Sequence, residues 1–568
     1  MNDTVLHRTG APAPQAVTPI DNSRWWALAV LCASLLIITL DNTILNVAIP
    51  ALVKDLNAST SELQWIIDGY TLVFAGLLLT LGSVGDRFGR KGALMVGLVI
   101  FGSGSAMSAF AGSATQLIFT RASMGIGAAL IMPATLSLLT NIFRDPCERA
   151  RAIGVWAAVA GASGALGPVI GGVLLAHFSW GSIFFVNLPV IAVALVGAWR
   201  LLPSSRDVEA PKLDPVGAGL SIAGLVLVLW SIIDAPTKGW SDATIIAALI
   251  GGIGFLALFV LWEFRSSHPM LDVRCFSNRR FSAANVAITL VFFAMFGQMF
   301  LGTQYLQTVL GFSALESGIR MLPMAFVMVG LAPVAPRLVE RVGTKVVVGS
   351  GLLVVAVGLA IVATVPVTDG YLHLLFGFCF VAAGMAMTMA PATESIMGSL
   401  PPAKAGVGSA MNDTTRQMGG ALGVAILGSV FATVYRPGLT DRVGDLGLTA
   451  EQLARARDSL GGALQVAREL PAAASQRLSS IAKTEFVSGL RLAIILAVVI
   501  VAIAAVVVFA FLPARAVDAT SATPIEPELL TMMGLAPTTE VEVAALIVEN
   551  AAAASISTTE SVDAGATR

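Results

Sequence analysis

Apolar stretches of about 20 residues recur along nearly the whole 568-residue chain, separated by short polar connections. That is the length at which an α-helix crosses the hydrocarbon core of a bilayer. Lipid offers no partner to an open backbone group, so helix is the expected form. The alternation of apolar and polar positions that marks membrane β-barrel strands is absent. The pattern predicts 14 spanning helices near residues 26–50, 62–82, 92–112, 115–140, 151–176, 181–202, 215–234, 243–264, 282–309, 316–336, 345–366, 371–396, 408–434 and 487–512. The expected fold class is therefore an all-α polytopic membrane protein. Two connections are long: a mixed-charge loop over 435–486 and a polar tail from 513. Within the loop, Leu453, Ala456, Leu460, Leu464 and Ala467 recur at helical spacing, which predicts one amphipathic helix over Glu451–Leu470. The tail 513–568 is rich in Ala, Thr and Glu and is read as disordered.

Charge placement sets the orientation. One set of loops carries Arg87, Arg90, Lys91, Arg144, Arg149, Arg151, Arg200, Arg206, Lys212 and Arg265, and continues to Arg341, Lys345 and Lys404. The opposite set carries little beyond Lys54 and Lys238. Basic loops stay in the cytoplasm, so both termini are expected there and the loop 435–486 outside. Residues 1–24 lack the apolar core of a signal peptide, and the first apolar segment is read as a retained helix.

Composition excludes several classes. The chain is 56% hydrophobic and 12% charged, which no soluble domain of this size could keep from water. A net charge of −1 gives no footprint for nucleic acid. The four cysteines (Cys32, Cys147, Cys275, Cys379) form no CxxC pair, so neither disulfide framework nor zinc site is expected. No HExxH, phosphate loop, GxSxG or dinucleotide fingerprint occurs. The expectation is a protein that is not an enzyme, with no metal and no cofactor. Its partner would be the lipid bilayer.

The chain repeats itself. Asp86-Arg87-Phe88-Gly89-Arg90-Lys91 follows the second helix, and Glu340-Arg341-Val342-Gly343-Thr344-Lys345 follows the tenth. This predicts two six-helix bundles with two helices inserted between them. The expected divisions are 1–24 (N-terminal segment), 25–202 (first bundle), 203–281 (linkers and inserted helices), 282–512 (second bundle) and 513–568 (tail). Parallel repeats of this kind place a substrate site between the halves, near the midplane.

Several segments carry a resemblance. Gly82 to Lys91, with Gly82, Gly85, Asp86, Arg87, Gly89 and Arg90, resembles the cytoplasmic loop signature of the major facilitator superfamily. Its glycines allow a tight turn, and Asp86 could pair with an arginine or face a helix N-terminus. Gly161, Gly164, Gly167, Pro168, Gly171 and Gly172 in the fifth helix look like the antiporter signature of the drug-exporting branches. Glycines 161, 164, 171 and 172 are expected near one face, letting another helix approach. Leu40 to Pro50, Gln64 to Tyr70, Trp180 to Pro189 and Arg416 to Gly420 resemble the 14-helix drug:proton antiporter branch. The resemblance covers residues 25–512 and implies multi-pass residence in a bacterial cytoplasmic membrane, with proton-driven export of drugs by a monomer whose partners are small molecules and protons.

Charge inside the bilayer costs several kcal/mol, so acids there face a cavity or a partner. Asp41 lies halfway through the first helix, and Asp68 in the outer part of the second. Burial favours a neutral carboxyl, which suits a group that must take and release protons. Arg121 resembles the superfamily's fourth-helix arginine, with Met124 where many relatives have glutamine, and is a candidate partner for Asp41. The resemblance implies that Asp41 and Arg121 belong to the coupling machinery. A fixed structural ion pair is the alternative for Asp41, and a pore-mouth hydrogen bond for Asp68. Asp413 stands where related exporters of organic cations carry an acid, although an acid also suits a first helical turn. Glu394 is a further candidate, with Arg416 or Lys404 as its partner, and Arg320 could snorkel or neutralise Glu316. Trp65, Tyr70, Trp156, Gln298, Tyr305 and Gln307, with Phe292, Phe293 and Phe296, are candidates to line a cavity for organic cations. Lipid-facing or core packing remains the alternative for the phenylalanines. Two functions stay open: a polyspecific, proton-coupled exporter of amphiphilic and often cationic compounds, or a dedicated exporter of one metabolite, antibiotic or lipid.

Overall fold

Among the described residues every regular element is helical. The computed structural model describes residues 23–143, 145–206, 214–266, 269, 271, 273–399 and 405–513. The N-terminal segment through residue 22 and the tail from 514, expected to be disordered, lie outside them. The first half comprises α1 (Ser23–Leu56), α2 (Thr60–Phe88), α3 (Arg90–Ala109), α4 (Ala114–Ile142), α5 (Pro146–His177), the single turn α6 (Ser182–Phe185) and α7 (Asn187–Leu201). The insertion is α8 (Pro215–Lys238) and α9 (Ala243–Arg265). The second half comprises α10 (Arg279–Gln304), α11 (Ala314–Leu331), the short α12 (Val334–Val342), α13 (Thr344–Val362), α14 (Tyr371–Met397), α15 (Ala405–Arg442), α16 (Ala450–Asp458), α17 (Leu460–Glu469) and α18 (Ala472–Phe511).

Twelve of these helical segments are long and apolar enough to cross a membrane, and α2, bent by 52° between Leu78 and Thr80, makes a thirteenth. The fourteenth expected span is α5, whose shorter apolar stretch is Leu166–His177. All 14 expected segments thus have a helical counterpart, while 12 or 13 satisfy the criterion by length and composition.

The internal repeat reappears in the backbone at both ends of α2 and of the α11–α12 pair. Ser59 and Glu62 form a capping box at the start of α2, and Ser313 and Glu316 form the same box at the start of α11. At the far ends, Gly89 and Gly343 have φ of +128° and +85°, a region that favours glycine. Each glycine terminates one helix and begins the next, so the connection is a single residue. Glu316 is thus engaged in its cap, and the Arg320 guanidinium instead stacks on Phe312 (3.5 Å) and Tyr371 (5.2 Å).

The halves meet along two related seams, α2 against α15 and α5 against α11. Small residues bring the backbones together there. A Cβ at Gly172 of α5 would lie 2.6 Å from the Leu315 Cα of α11, and Gly318 of α11 packs on the Pro168 carbonyl of α5. The glycines of α5 do not share one face as expected. Gly167 and Gly171 pack against Thr43 and Ile44 of α1, whereas Gly172 faces the other half. Successive helical residues differ by about 100°, so a Gly-Gly pair serves two neighbours at once. The side-chain surroundings of Gly161 and Gly164 lie outside the described residues. The insertion is more than a linker. Leu229 and Ile233 of α8 join Leu72, Ala421 and Ala425 in a small cluster that covers the α2–α15 seam.

At the end away from the basic loops, hydrogen bonds tie the halves. Gln64 Nε2 donates to the carbonyls of Val424 (3.1 Å) and Ala425 (3.0 Å), and Gln307 Nε2 donates to the Val47 carbonyl at 2.9 Å. The expected loop 435–486 is much shorter, because α15 runs on to Arg442 and α18 begins at Ala472. These helices have 38 and 40 residues, longer than a bilayer core requires. The expected amphipathic helix is two helices, broken at extended Ser459, whose hydroxyl accepts from Gly462 N at 3.0 Å. The α16–α17 hairpin clasps both halves. Thr60 donates to the Asp458 carbonyl (2.5 Å), Gln465 to the Val53 carbonyl (3.3 Å), and Tyr435 to the Ala456 carbonyl (3.0 Å). Within it, hydrogen bonds from Arg455 and then Gln452 hold the Glu469 carboxyl below the usual carboxylate range. A depressed carboxyl loses its pairing only as pH falls through that lowered value, so the clasp persists at neutral and mildly acidic pH.

Packing at the α5–α11 seam separates two glycines that composition cannot distinguish. Gly172→Val meets backbone atoms of the other half, whereas Gly330 of α11 has open space around it. We expect Gly172→Val to lose about 1–3 kcal/mol and to splay the seam. Gly330→Ala should stay within about 0.5 kcal/mol of wild type. Thermal unfolding in detergent, with thiol labelling of a cysteine at position 315, checks both.

Candidate functional site

Asp41 and Arg121 come together in the interior of the first half. Both side chains are 1% exposed, and Arg121 Nη1 is paired with Asp41 Oδ2. A buried charge pair is tolerable only where its remaining donors and lone pairs are satisfied. Asn187, the first residue of α7, donates from Nδ2 to Asp41 Oδ1 at 3.3 Å and to Ser105 Oγ at 3.1 Å. Arg121 Nε donates to the Ile66 carbonyl at 3.2 Å, and its guanidinium lies 4.4 Å from the Tyr70 ring centre. Beside it, Ser108 donates to Thr120 Oγ1 at 2.8 Å and contacts Met124 Sδ at 3.6 Å. Five helices of one bundle (α1, α2, α3, α4 and α7) therefore converge on one ion pair. Asn187 was not singled out in the sequence, although it lies within the Trp180–Pro189 stretch as an amide in an apolar run.

Asp68 is different. It is fully buried, and neither carboxylate oxygen has a hydrogen-bond partner. It lies one turn beyond Gln64, which bonds to α15, and one turn before Leu72, which packs on Ala421 of α15. That spacing puts Asp68 on the face of α2 that forms the seam between the halves. Asp41 is thus enclosed within one rigid bundle, whereas Asp68 lies on a surface that must part if the halves move.

A third group lies toward the basic end. Arg416 of α15 is 3.8 Å from Asp413 and donates to Thr393 Oγ1 at 3.1 Å, with its guanidinium 5.7 Å from the Phe292 ring. Glu394 does not join it: this residue is exposed near the end of α14, and Arg416 turns to Asp413 instead. Lys404 lies outside the described residues. A further acid, unforeseen in the sequence, is Glu485 of α18, buried and 3.0 Å from Arg442.

The residues of the short basic loop make their contacts inside the first half. Arg90 Nε donates to Asp86 Oδ1 at 2.6 Å, and Arg90 N donates to the Ser205 carbonyl. Gly82 sits against Pro133 of α4, Gly85 against Ala93 of α3, and Arg87 is exposed. Of the aromatic and amide candidates, Tyr305 donates to the Pro366 carbonyl at 2.5 Å and Gln307, in the π-helical turn Tyr305–Val309 after α10, bonds to α1, so both are held by structure. Tyr70, Trp156 and Gln298 each keep a buried polar atom with no partner. Trp65 packs on the small cluster over the α2–α15 seam.

The chain is similar to proteins of one family. Residues 31–424 match the Major Facilitator Superfamily. The chain is 39% identical over 490 residues to the multidrug efflux pump LfrA of Mycolicibacterium smegmatis, covering 86% of this chain and 96% of that protein. It is 35% identical over 473 residues to the methyl viologen resistance protein SmvA of Salmonella typhimurium, covering 82% and 93%. Among solved structures, an inward-facing, unoccupied bacterial homologue of the human lysosomal transporter Spinster superposes with a TM-score of 0.58 at 17% identity, covering 88% of this chain and 99% of that one. The last likeness establishes the fold.

The ion pair makes an asymmetric prediction. Asp41→Asn leaves the Arg121 guanidinium buried without a counter-charge, which should cost about 3–5 kcal/mol. The double variant Asp41→Asn/Arg121→Met removes both charges and should regain most of that loss. Tryptophan-monitored thermal unfolding of the purified variants checks this. Equal melting temperatures for the single and double variants would refute a coupled pair.

Proposed function

Because this chain belongs to the major facilitator superfamily, we propose that it exports amphiphilic, often cationic, small molecules across the cytoplasmic membrane in exchange for protons. The observation that carries this reading is Asp68, a fully buried carboxyl with no partner, lying on the seam between the two halves. An unpaired charge there has a desolvation cost that uptake of a proton removes. The protonated acid suits a closed seam. The ionised acid calls for water or a cation, and either requires the seam to part. Proton occupancy and opening of the halves are thereby linked through one residue.

The rest of the cycle follows from charge placement. By the distribution of arginine and lysine, the basic end faces the cytoplasm, along with both termini. The hydrogen bonds from Gln64, Gln307 and Thr60 then close the external side. A substrate entering from the cytoplasm meets Asp413 and Arg416 first and the central acids next. A bound organic cation favours ionised Asp41 and Asp68 and expels their protons inward, and the external contacts then break to release it. Asp41 is held by Arg121 and Asn187, so a proton on Asp41 would free the arginine and loosen the joint between α1 and α4. Of the two named relatives, the multidrug efflux pump supports export of drugs, and the methyl viologen resistance protein supports a cationic substrate class. The short loop from Gly82 to Arg90 supplies the cytoplasmic gate, engaging the second half when the external side opens.

The test is transport in proteoliposomes with an imposed pH gradient, following a fluorescent organic cation. Gradient-driven movement is expected in the wild type and should be abolished in Asp68→Asn and in Asp41→Asn. Full proton-coupled transport by Asp41→Asn would remove that residue from the mechanism. No movement in the wild type would sink the cation-exporter reading in favour of a dedicated metabolite exporter.

A further inference from the structure

Six of the chain's 19 methionines line one small cavity in the second half. From α10 come Met295, Gln298 and Met299, at helical spacing that places them on one face. From α11 come Met321, Met324 and Met328, again on one face, and α14 closes the cavity with Met385 and the Phe378 ring. Both α10 and α11 also touch helices of the first half, so two of the helices that line the cavity take part in the joint between the halves. Within it, Gln298 is 3% exposed, and its side-chain carbonyl has no hydrogen-bond partner.

These features conflict if the cavity is only packing. Methionine fills irregular gaps in cores, but gap-filling does not account for an amide carbonyl buried without a donor. The volume is about 20 Å³, room for one water molecule. A buried water needs two to four polar partners, and Gln298 is the one polar side chain among the lining residues. A water is therefore poorly served there. What fits the chemistry is a larger group that supplies one N–H donor and otherwise presents polarisable apolar surface. Thioether sulfurs favour aromatic rings, and the three rotatable bonds of each methionine let the walls retreat to admit them. Flexible methionine surfaces also suit a binder that accepts many shapes.

We propose that this methionine-lined cavity is a subsite for the flat aromatic portion of a transported cation, with the Gln298 carbonyl accepting one N–H hydrogen bond from it. The subsite holds no acid, so the positive charge of the ligand stays with the carboxylates described above. Division of labour follows: the acids select for charge, and the methionines select for a planar, polarisable ring. The inference rests on the exporter reading for its substrate class, but it can fail separately.

The test uses the purified full-length protein and two probes. Ethidium is a planar aromatic cation with N–H donors, and tetrabutylammonium is an aliphatic cation with none. Equilibrium binding is measured for wild type, Gln298→Leu, Met324→Leu and Met328→Leu, with melting temperatures as a control on folding. Ethidium affinity should fall about tenfold in Gln298→Leu, while tetrabutylammonium stays within about twofold. Each Met→Leu change conserves volume and should weaken ethidium about threefold without lowering the melting temperature. Unchanged ethidium binding in all three variants would overturn the proposal, and so would an equal loss of both probes. Selective loss of ethidium binding, with no gradient-driven transport by the wild type, would leave the subsite standing and remove the exporter reading instead.

Discussion

In a bilayer the hydrophobic effect does not drive one helix against another, because lipid tails are as apolar as leucine. Close backbone approach through small residues must do it, and this chain applies it at the joint between its halves. Gly172 of α5 faces the Leu315 backbone of α11, and Gly318 of α11 faces the Pro168 carbonyl of α5. At the other seam, Gly428 of α15 leaves room for the Gln64 side chain, which bonds to two backbone carbonyls. Such a joint is tight yet contains little that is covalent or ionic.

The polar groups divide along the same line. Inside one bundle, Asp41, Arg121, Asn187 and Ser105 bond to one another, with Asn187 Oδ1 alone left unpartnered among them, and the network draws five helices together. At the seam, Asp68 is left without a partner. A bonded network stiffens a body, while an acid buried on the seam without a partner carries a desolvation cost there. The hairpin α16–α17 adds contacts to both halves at the end away from the basic loops, and the inserted α8 braces the α2–α15 seam from the side. The insertion and the hairpin therefore belong to the joint, not to the connections.

The repeat shows how far local chemistry reaches. Ser59 with Glu62 and Ser313 with Glu316 start equivalent helices, and Gly89 and Gly343 end equivalent loops. Each feature needs only residues within a few positions, so it is legible from the chain. The segment between α15 and α18 was legible only in part. Helical spacing over Glu451–Leu470 was real, but the break at Ser459 followed from the cap it offers and from Gly461 packing on Val53, far off in the chain.

What the sequence determined by itself was everything that lipid dictates locally: apolar segments of spanning length, their helical form, the basic loops and the few acids inside them. Those properties depend on a residue and its solvent, and the solvent is known in advance. Tertiary structure alone decided which acid was paired and which was not. Arg121 reaches Asp41 across 80 positions and Gln64 reaches α15 across 360. It likewise decided that Glu394 stands exposed while Glu485 is buried, that the α5 glycines serve two neighbours, and that six scattered methionines share one cavity. A membrane helix that is apolar nearly all round does not announce its packing face. Which side chains meet is fixed by the shape of partners that are distant in the chain.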